Sequence, residues 1–250
     1  MSYHHTPEYA GYEEQYAGSL PAALALPAER ATFMRRVYAH VAGALLAFVA
    51  IEWLLLVPLR EFSAGLASLM LTGAGKYSWL IVLAAFMFIG WLAEKWALSD
   101  TSRGLQYLGL ALFTVAEAII VLPLLLFVTI MAGAPTLIGQ AGILTLSVFG
   151  GLTVCVLTTR KDFSFLGPIV WVGSWLALGL IVAAILFGFN LGLWFALAMV
   201  GLVSAAIIYQ TSAILHQYRT DQHVAAALGL FSSVVTLFYY ILMALLRSRN

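Results

Sequence analysis

The sequence predicts an all-α membrane protein, a polytopic bundle of seven transmembrane helices. Three observations carry this reading. Hydrophobic residues make up 63% of the 250-residue chain, where a water-soluble domain carries roughly 45–50%. Charged residues are 9%, against about 25% in soluble domains, too few to cover so much apolar surface. The apolar residues also fall into seven runs, each near the ~20 residues that a helix needs to cross the hydrocarbon core. Barrel strands are the other way to satisfy backbone groups in lipid. They alternate in polarity over short segments, and these runs do not.

The chain opens on a polar segment. Residues 1–30 hold Tyr3, Tyr9, Tyr12 and Tyr16 among Glu8, Glu13, Glu14 and Glu29 without an apolar period. They are expected to form a disordered cytoplasmic tail, ahead of a seven-helix domain over 31–250. The tail lacks the basic start and short apolar stretch of a cleaved signal peptide. The first run is Val37–Val57, and Ala28–Arg36 is able to extend it. It carries Ala39, Gly43 and Ala47 at four-residue spacing, which predicts a packing seam, because small residues let backbones approach in lipid. Arg60 and Glu61 follow as interface charges. The second run, Tyr77–Leu98, is interrupted near its end by Glu94 and Lys95. The third, Leu105–Phe127, contains Pro123, which predicts a kink. The fourth, Gly139–Leu157, holds Cys155, expected to be a small buried packing residue. As the single cysteine, it leaves no internal disulfide and no cysteine metal site. The fifth, Pro168–Gly188, opens on a proline whose missing N–H costs nothing in a first turn. The sixth is Gly192–Leu215. The last, Ala225–Leu246, carries a second small-residue seam, Ala225, Gly229 and Ser233.

Basic residues on alternate sides of the spans set the orientation. One side has Arg30, Arg35, Arg36, Lys95, Arg103, Arg160, Lys161 and Arg219. The other has Arg60, Lys76, Arg247 and Arg249. This places the N-terminus in the cytoplasm and the C-terminus outside. The charges are not gathered on one face, so a nucleic-acid partner is excluded; the lipid bilayer is the partner that composition demands.

Ionisable groups at membrane depth ask for a reason. Glu117 lies near the middle of the third run. It reads either as a proton or cation site or as a protonated carboxyl hydrogen-bonded to a neighbouring helix. Glu52 is nearer a helix end and is expected to reach the interface. His40, one turn inside the membrane, reads as a packing histidine. No HExxH, glycine-rich phosphate loop or mid-membrane aspartate pair is present. The chain is therefore expected not to be an enzyme, with no catalytic residue, cofactor or metal site. His216 and His223 flank a loop with Asp221, read as solvated polarity.

Two segments stand out. In Leu157–Gly167, LTTRKDFSFLG, the charges Arg160, Lys161 and Asp162 sit between two apolar runs, followed by Phe163 and Phe165. This predicts a short cytoplasmic hairpin pinned by aromatics at the interface. In Ile207–Leu215, IIYQTSAIL, four hydrogen-bonding side chains follow one another, Tyr209, Gln210, Thr211 and Ser212. Such a patch needs partners and should face the bundle.

These two segments, with the closing apolar run, resemble the Bax-inhibitor family of membrane proteins, and most closely its bacterial branch of FtsH-protease modulators. The resemblance spans roughly Arg30 to Leu246. It implies a helical bundle with the last helix central, in a bacterial inner membrane. It also implies a link to pH-sensitive calcium leak channels, whose proposed sensor is a pair of aspartates in the sixth and seventh helices. The matching positions here are Gln210 and Ser233, and neither ionises. The expected function is modulation of FtsH, with this chain also a client of the protease, in membrane-protein quality control. FtsH and its membrane partners are then the expected protein partners. The alternatives are a calcium or cation leak using Glu117 and Glu52, in which calcium is a partner, and a structural membrane protein without transport.

Overall fold

The computed structural model describes residues 22, 24–99, 102–159 and 161–249. Most of the expected tail, and Arg160 of the hairpin, lie outside the described residues. Among the described residues eight α-helices are seen, and seven of them are long and apolar enough to cross a membrane. The protein is an all-α multi-pass membrane bundle.

Helix α1 runs from Pro27 to Leu56, 30 residues. Pro27 opens it and Glu29 sits in its first turn, where a fixed φ and an acidic charge both suit a helix start. At 1.5 Å per residue it is about 45 Å long, longer than the ~30 Å hydrocarbon core. It ends ahead of Pro58, which has no N–H to give the Leu54 carbonyl; the Leu59 N–H bonds that carbonyl instead at 3.0 Å. The inward face of α1 is Phe33, Val37, Val41, Ala44, Phe48, Glu52 and Leu55. The expected seam is overturned: Ala39, Gly43 and Ala47 are all exposed, and nothing lies within 4 Å of a side chain built at Gly43. Large apolar residues pack this helix, and the small ones face outward.

Helix α2, Arg60–Thr72, was not expected from the sequence. Thirteen residues are too few to span, so it escapes a search for long apolar runs. It buries Ser63, Ala67 and Met70 and exposes Phe62, Leu69 and Leu71. A 3₁₀ turn, Gly75–Tyr77, leads into α3, Ser78–Ala97. Helix α4, Arg103–Leu126, is capped by Ser102, whose hydroxyl accepts the Leu105 N–H at 3.4 Å. It continues through Pro123 and widens into a π turn over Phe127–Met131. Helix α5 is Thr136–Thr159 and α6 is Leu166–Phe187. Gly188, at φ +74°, closes α6 in the left-handed conformation that glycine adopts without penalty. Helices α7, Gly192–His216, and α8, His223–Ser248, complete the chain.

Helix α8 is the centre, as the resemblance implies. It packs against α1, α3, α4, α5 and α7, and Leu230, Phe231, Leu237 and Leu242 are fully buried. Helix α6 lies at the edge, held mainly by α7. Cys155 of α5 is exposed rather than buried. Its apolar character fits lipid as well as a core, so hydrophobicity alone did not predict its side.

Candidate functional site

The polar residues of α8 organise the centre. Successive helical residues are about 100° apart, so Ser232 and Ser233 point to different neighbours. The Ser232 hydroxyl donates to Glu117 Oε1 on α4 at 2.9 Å. The Ser233 hydroxyl donates to Gln210 Oε1 on α7 at 2.9 Å. Glu117 is only 2% exposed. The carboxyl thus has the neighbouring-helix hydrogen bond that one of its two sequence readings required. Gly229, one turn before Ser233, faces the same side chain, and a Cβ there would meet Gln210 Cδ in ordinary contact at 4.0 Å. Ala225, Gly229 and Ser233 share the wall of a cavity with Gln210.

Two cavities flank this centre. One, of about 370 Å³, is lined by Glu117 with Trp79, Tyr239, Tyr240 and Arg247 toward the C-terminal end of α8. The other, of about 470 Å³, is lined by Glu94, Phe113, Gln210, Tyr218, Ser232 and Ser233 toward the opposite end. Phe86 borders both. The Ser232–Glu117 bond joins a wall of one cavity to a wall of the other.

Glu52 corrects the sequence reading. It does not reach the interface: it sits on the inward face of α1 at 5% exposure, and neither carboxyl oxygen has a hydrogen-bond partner among the described residues. Its spacing from Phe48 and Leu55, four and three residues, puts it on the packed face. That spacing was visible in the sequence once the inward face was known.

The two singled-out segments dock onto each other. The Phe163 N–H donates to Ser212 Oγ at 2.9 Å, and Gln217 Nε2 donates to Ser164 Oγ at 3.1 Å. Gly167 lies so close to Tyr209 that a Cβ would meet the ring at 3.0 Å. Within the hairpin, Asp162 Oδ1 accepts the N–H of Ser164 at 2.9 Å and its hydroxyl at 2.5 Å. These hydrogen bonds hold the exposed Asp162 carboxyl below the usual aspartate range. The hairpin is thus pinned by hydrogen bonds to the end of α7. Phe163 is half-buried beside them, and Phe165 and Lys161 are exposed. Thr211 is buried, with its hydroxyl set toward that of Tyr38, which also faces Thr153.

Sequence reasoning missed Ser232, Glu94 and Gln217. The signal for Ser232 was the Ser-Ser pair inside an apolar run, of which only the second serine was read. His40 packs as expected, stacked on Tyr107 at 5.5 Å and tilted against His223 at 5.0 Å. His223 departs from the loop reading, because it is buried at the start of α8.

Residues 30–250 match the family described as inhibitor of apoptosis-promoting Bax1. The chain belongs to this Bax-inhibitor family. It is 31% identical over 169 residues to an uncharacterized protein of Pseudomonas aeruginosa, covering 65% of this chain and 71% of that one. It is 29% identical over 230 residues to Protein LIFEGUARD 4 of Arabidopsis thaliana, covering 89% and 87%. It is 31% identical over 132 residues to Protein lifeguard 4 of Mus musculus, covering about half of each, 52% and 53%. No solved structure matches the chain.

Proposed function

We propose that this Bax-inhibitor-family protein is a modulator and client of the FtsH protease in a bacterial inner membrane, acting in membrane-protein quality control. Its N-terminus is cytoplasmic and its C-terminus outside. The observation that carries this reading is the neutral contact at the bundle centre. Where the resemblance implies a titrating acidic pair, Ser233 donates to Gln210 at 2.9 Å. An amide and a hydroxyl keep their charge state at every accessible pH, so this contact supplies packing and no proton switch. A bundle fastened at its centre resists extraction, and the polar segment ahead of Pro27 offers a protease its handle. The proposed role is non-enzymatic.

Affinity purification from native membranes tests this. FtsH or its band-like membrane partners should co-purify, and a chain starting at Ala28 should be turned over more slowly than the full one. Absence of FtsH from the complex, with equal turnover of both chains, removes the reading. Reporters fused at the two ends should fall on opposite sides of the membrane.

A cation leak is the second reading, favoured by the place of Glu117 between two cavities. Calcium flux into liposomes that is lost in Glu117→Gln would promote it over FtsH modulation. Little flux in the wild-type protein is the expected result.

A further inference from the structure

Where α4 and α8 begin, a cavity of about 440 Å³ is lined by Arg36, Arg103, Gln106, Thr220, Asp221 and His223. Its two guanidinium groups come from different helices, α1 and α4. Neither Arg36 nor Arg103 makes an ion pair among the described residues. The acid in the wall, Asp221, is already held by Arg219, whose Nη2 donates to Oδ2 at 2.9 Å and Nε to Oδ1 at 3.1 Å. Helices α4 and α8, 24 and 26 residues long, both start at this end. Their first N–H groups and positive dipole ends add to the field. A separate observation points to a ligand. His223 is 9% exposed and lines the cavity, and its Nδ1 has no side-chain partner among the described residues, only the Asp221 backbone within reach of the ring. Its ring is set by His40, which is anchored through Nδ1 to the Arg36 carbonyl at 2.6 Å.

We propose that this cavity binds a phosphate anion at the membrane interface, supplied by the headgroup of an anionic phospholipid. Phosphate offers several acceptor oxygens to Arg36 and Arg103 at once. The cavity lies on the side that carries most of the basic residues, where a cytoplasmic leaflet presents anionic lipid. One turn along α4, Tyr107 and Leu108 are exposed, giving an apolar track for the acyl chains beside the charged cavity. A free phosphate has no use for that track.

The test uses the full chain in mild detergent, with native mass spectrometry and thermal unfolding. The probes are dioleoyl-phosphatidylglycerol, dioleoyl-phosphatidylcholine and inorganic phosphate. Phosphatidylglycerol should bind and stabilise, and phosphatidylcholine should not. Replacing Arg36→Gln and Arg103→Gln together should weaken phosphatidylglycerol binding about twenty-fivefold, taking about fivefold for each basic residue at a charged surface. Arg35→Gln, outside the cavity, should weaken it less than either cavity substitution alone. Protection by inorganic phosphate that depends on both arginines keeps the anion site and moves its source to a soluble phosphate. Equal binding of both lipids, or wild-type binding by the double variant, overturns the proposal. Should the double variant fail to fold, His223→Phe keeps the ring against His40 and removes both nitrogens. Phosphatidylglycerol binding then falls severalfold if the imidazole faces the anion, and an unchanged affinity overturns the proposal.

Discussion

Helices α6 and α8 are both apolar enough to cross a membrane, yet they sit in opposite settings. Over its crossing window α8 is 56% buried and α6 only 6%. Helix α8 is surrounded by five spans, whereas α6 is held mainly by α7. Their side chains explain this. Helix α8 presents Ala225, Ala226, Ala227, Gly229 and two serines to its neighbours, and α6 turns Trp171, Trp175, Leu176 and Phe187 outward. In water, hydrophobicity separates inside from outside. In lipid both surroundings are equally apolar, so hydrophobicity does not separate these two helices; the small and hydrogen-bonding residues of α8 favour its inward place.

Truncation should break the symmetry between the two helices. Phe231 of α8 is fully buried and meets Phe48 and Phe113 edge to face at 6.3 and 6.5 Å. Phe231→Ala should cost about 3–5 kcal/mol, measured as equilibrium unfolding in mixed micelles. Trp175→Ala in α6, at a site 55% exposed, should stay within about 0.5 kcal/mol. Comparable losses at both sites would mean that α6 is covered in the membrane by something else.

The serine pair of α8 sharpens the comparison at smaller scale. Ser232→Ala leaves a Glu117 oxygen without its donor at 2% exposure, which should cost about 1–3 kcal/mol. Ser233→Ala leaves only the neutral Gln210 amide, half-buried beside a cavity. Its cost should be nearer the ~0.6 kcal/mol average for interhelical bonds in membranes. The same unfolding assay ranks the two, and a larger loss at Ser233 would reverse the assignment of the stronger tie.

The seven spans were legible because length and hydropathy are properties of the chain alone. Which face each span buries was legible only in part. Ala225 and Ser233 are buried and Gly229 half-buried, while Ala39, Gly43 and Ala47 have the same spacing and face outward. Four-residue spacing permits close approach but does not supply a partner. Glu117 was singled out by its charge and Gln210 by its polar neighbours. Ser232 escaped, because a serine in a helix is unremarkable until the carboxyl across from it is known. Helix α2 escaped because a short helix with one buried face leaves no long apolar run.

The smallest expected effect concerns how α6 is held at all. With so little buried face, it is held by α7 and by the hairpin before it. There Ser164 both donates to Asp162 and accepts from Gln217 beyond the end of α7. Hydrogen bonds from Ser164 favour the charged carboxylate and hold the Asp162 pKa below its ordinary value. A folded value below the unfolded one, about 3.9 for aspartate, stabilises the hairpin at neutral pH. That contribution is lost as pH falls through the folded value. Between pH 7 and 5 the hairpin should therefore not change, since both states are ionised across roughly this window. In more acid solution the carboxyl is neutralised, the hydrogen bonds from Ser164 weaken, and the hairpin should loosen from α7. Because Asp162 is fully exposed, solvent screens the effect and only a local probe will see it. The measurement is the hydrogen-exchange protection of the Phe163 and Ser164 amides, corrected for intrinsic exchange. Asp162→Asn should lower protection at neutral pH and remove its acid dependence. Equal protection and equal acid dependence in that variant would show that α6 is fastened elsewhere, and that the contrast with α8 is less deep than its burial suggests.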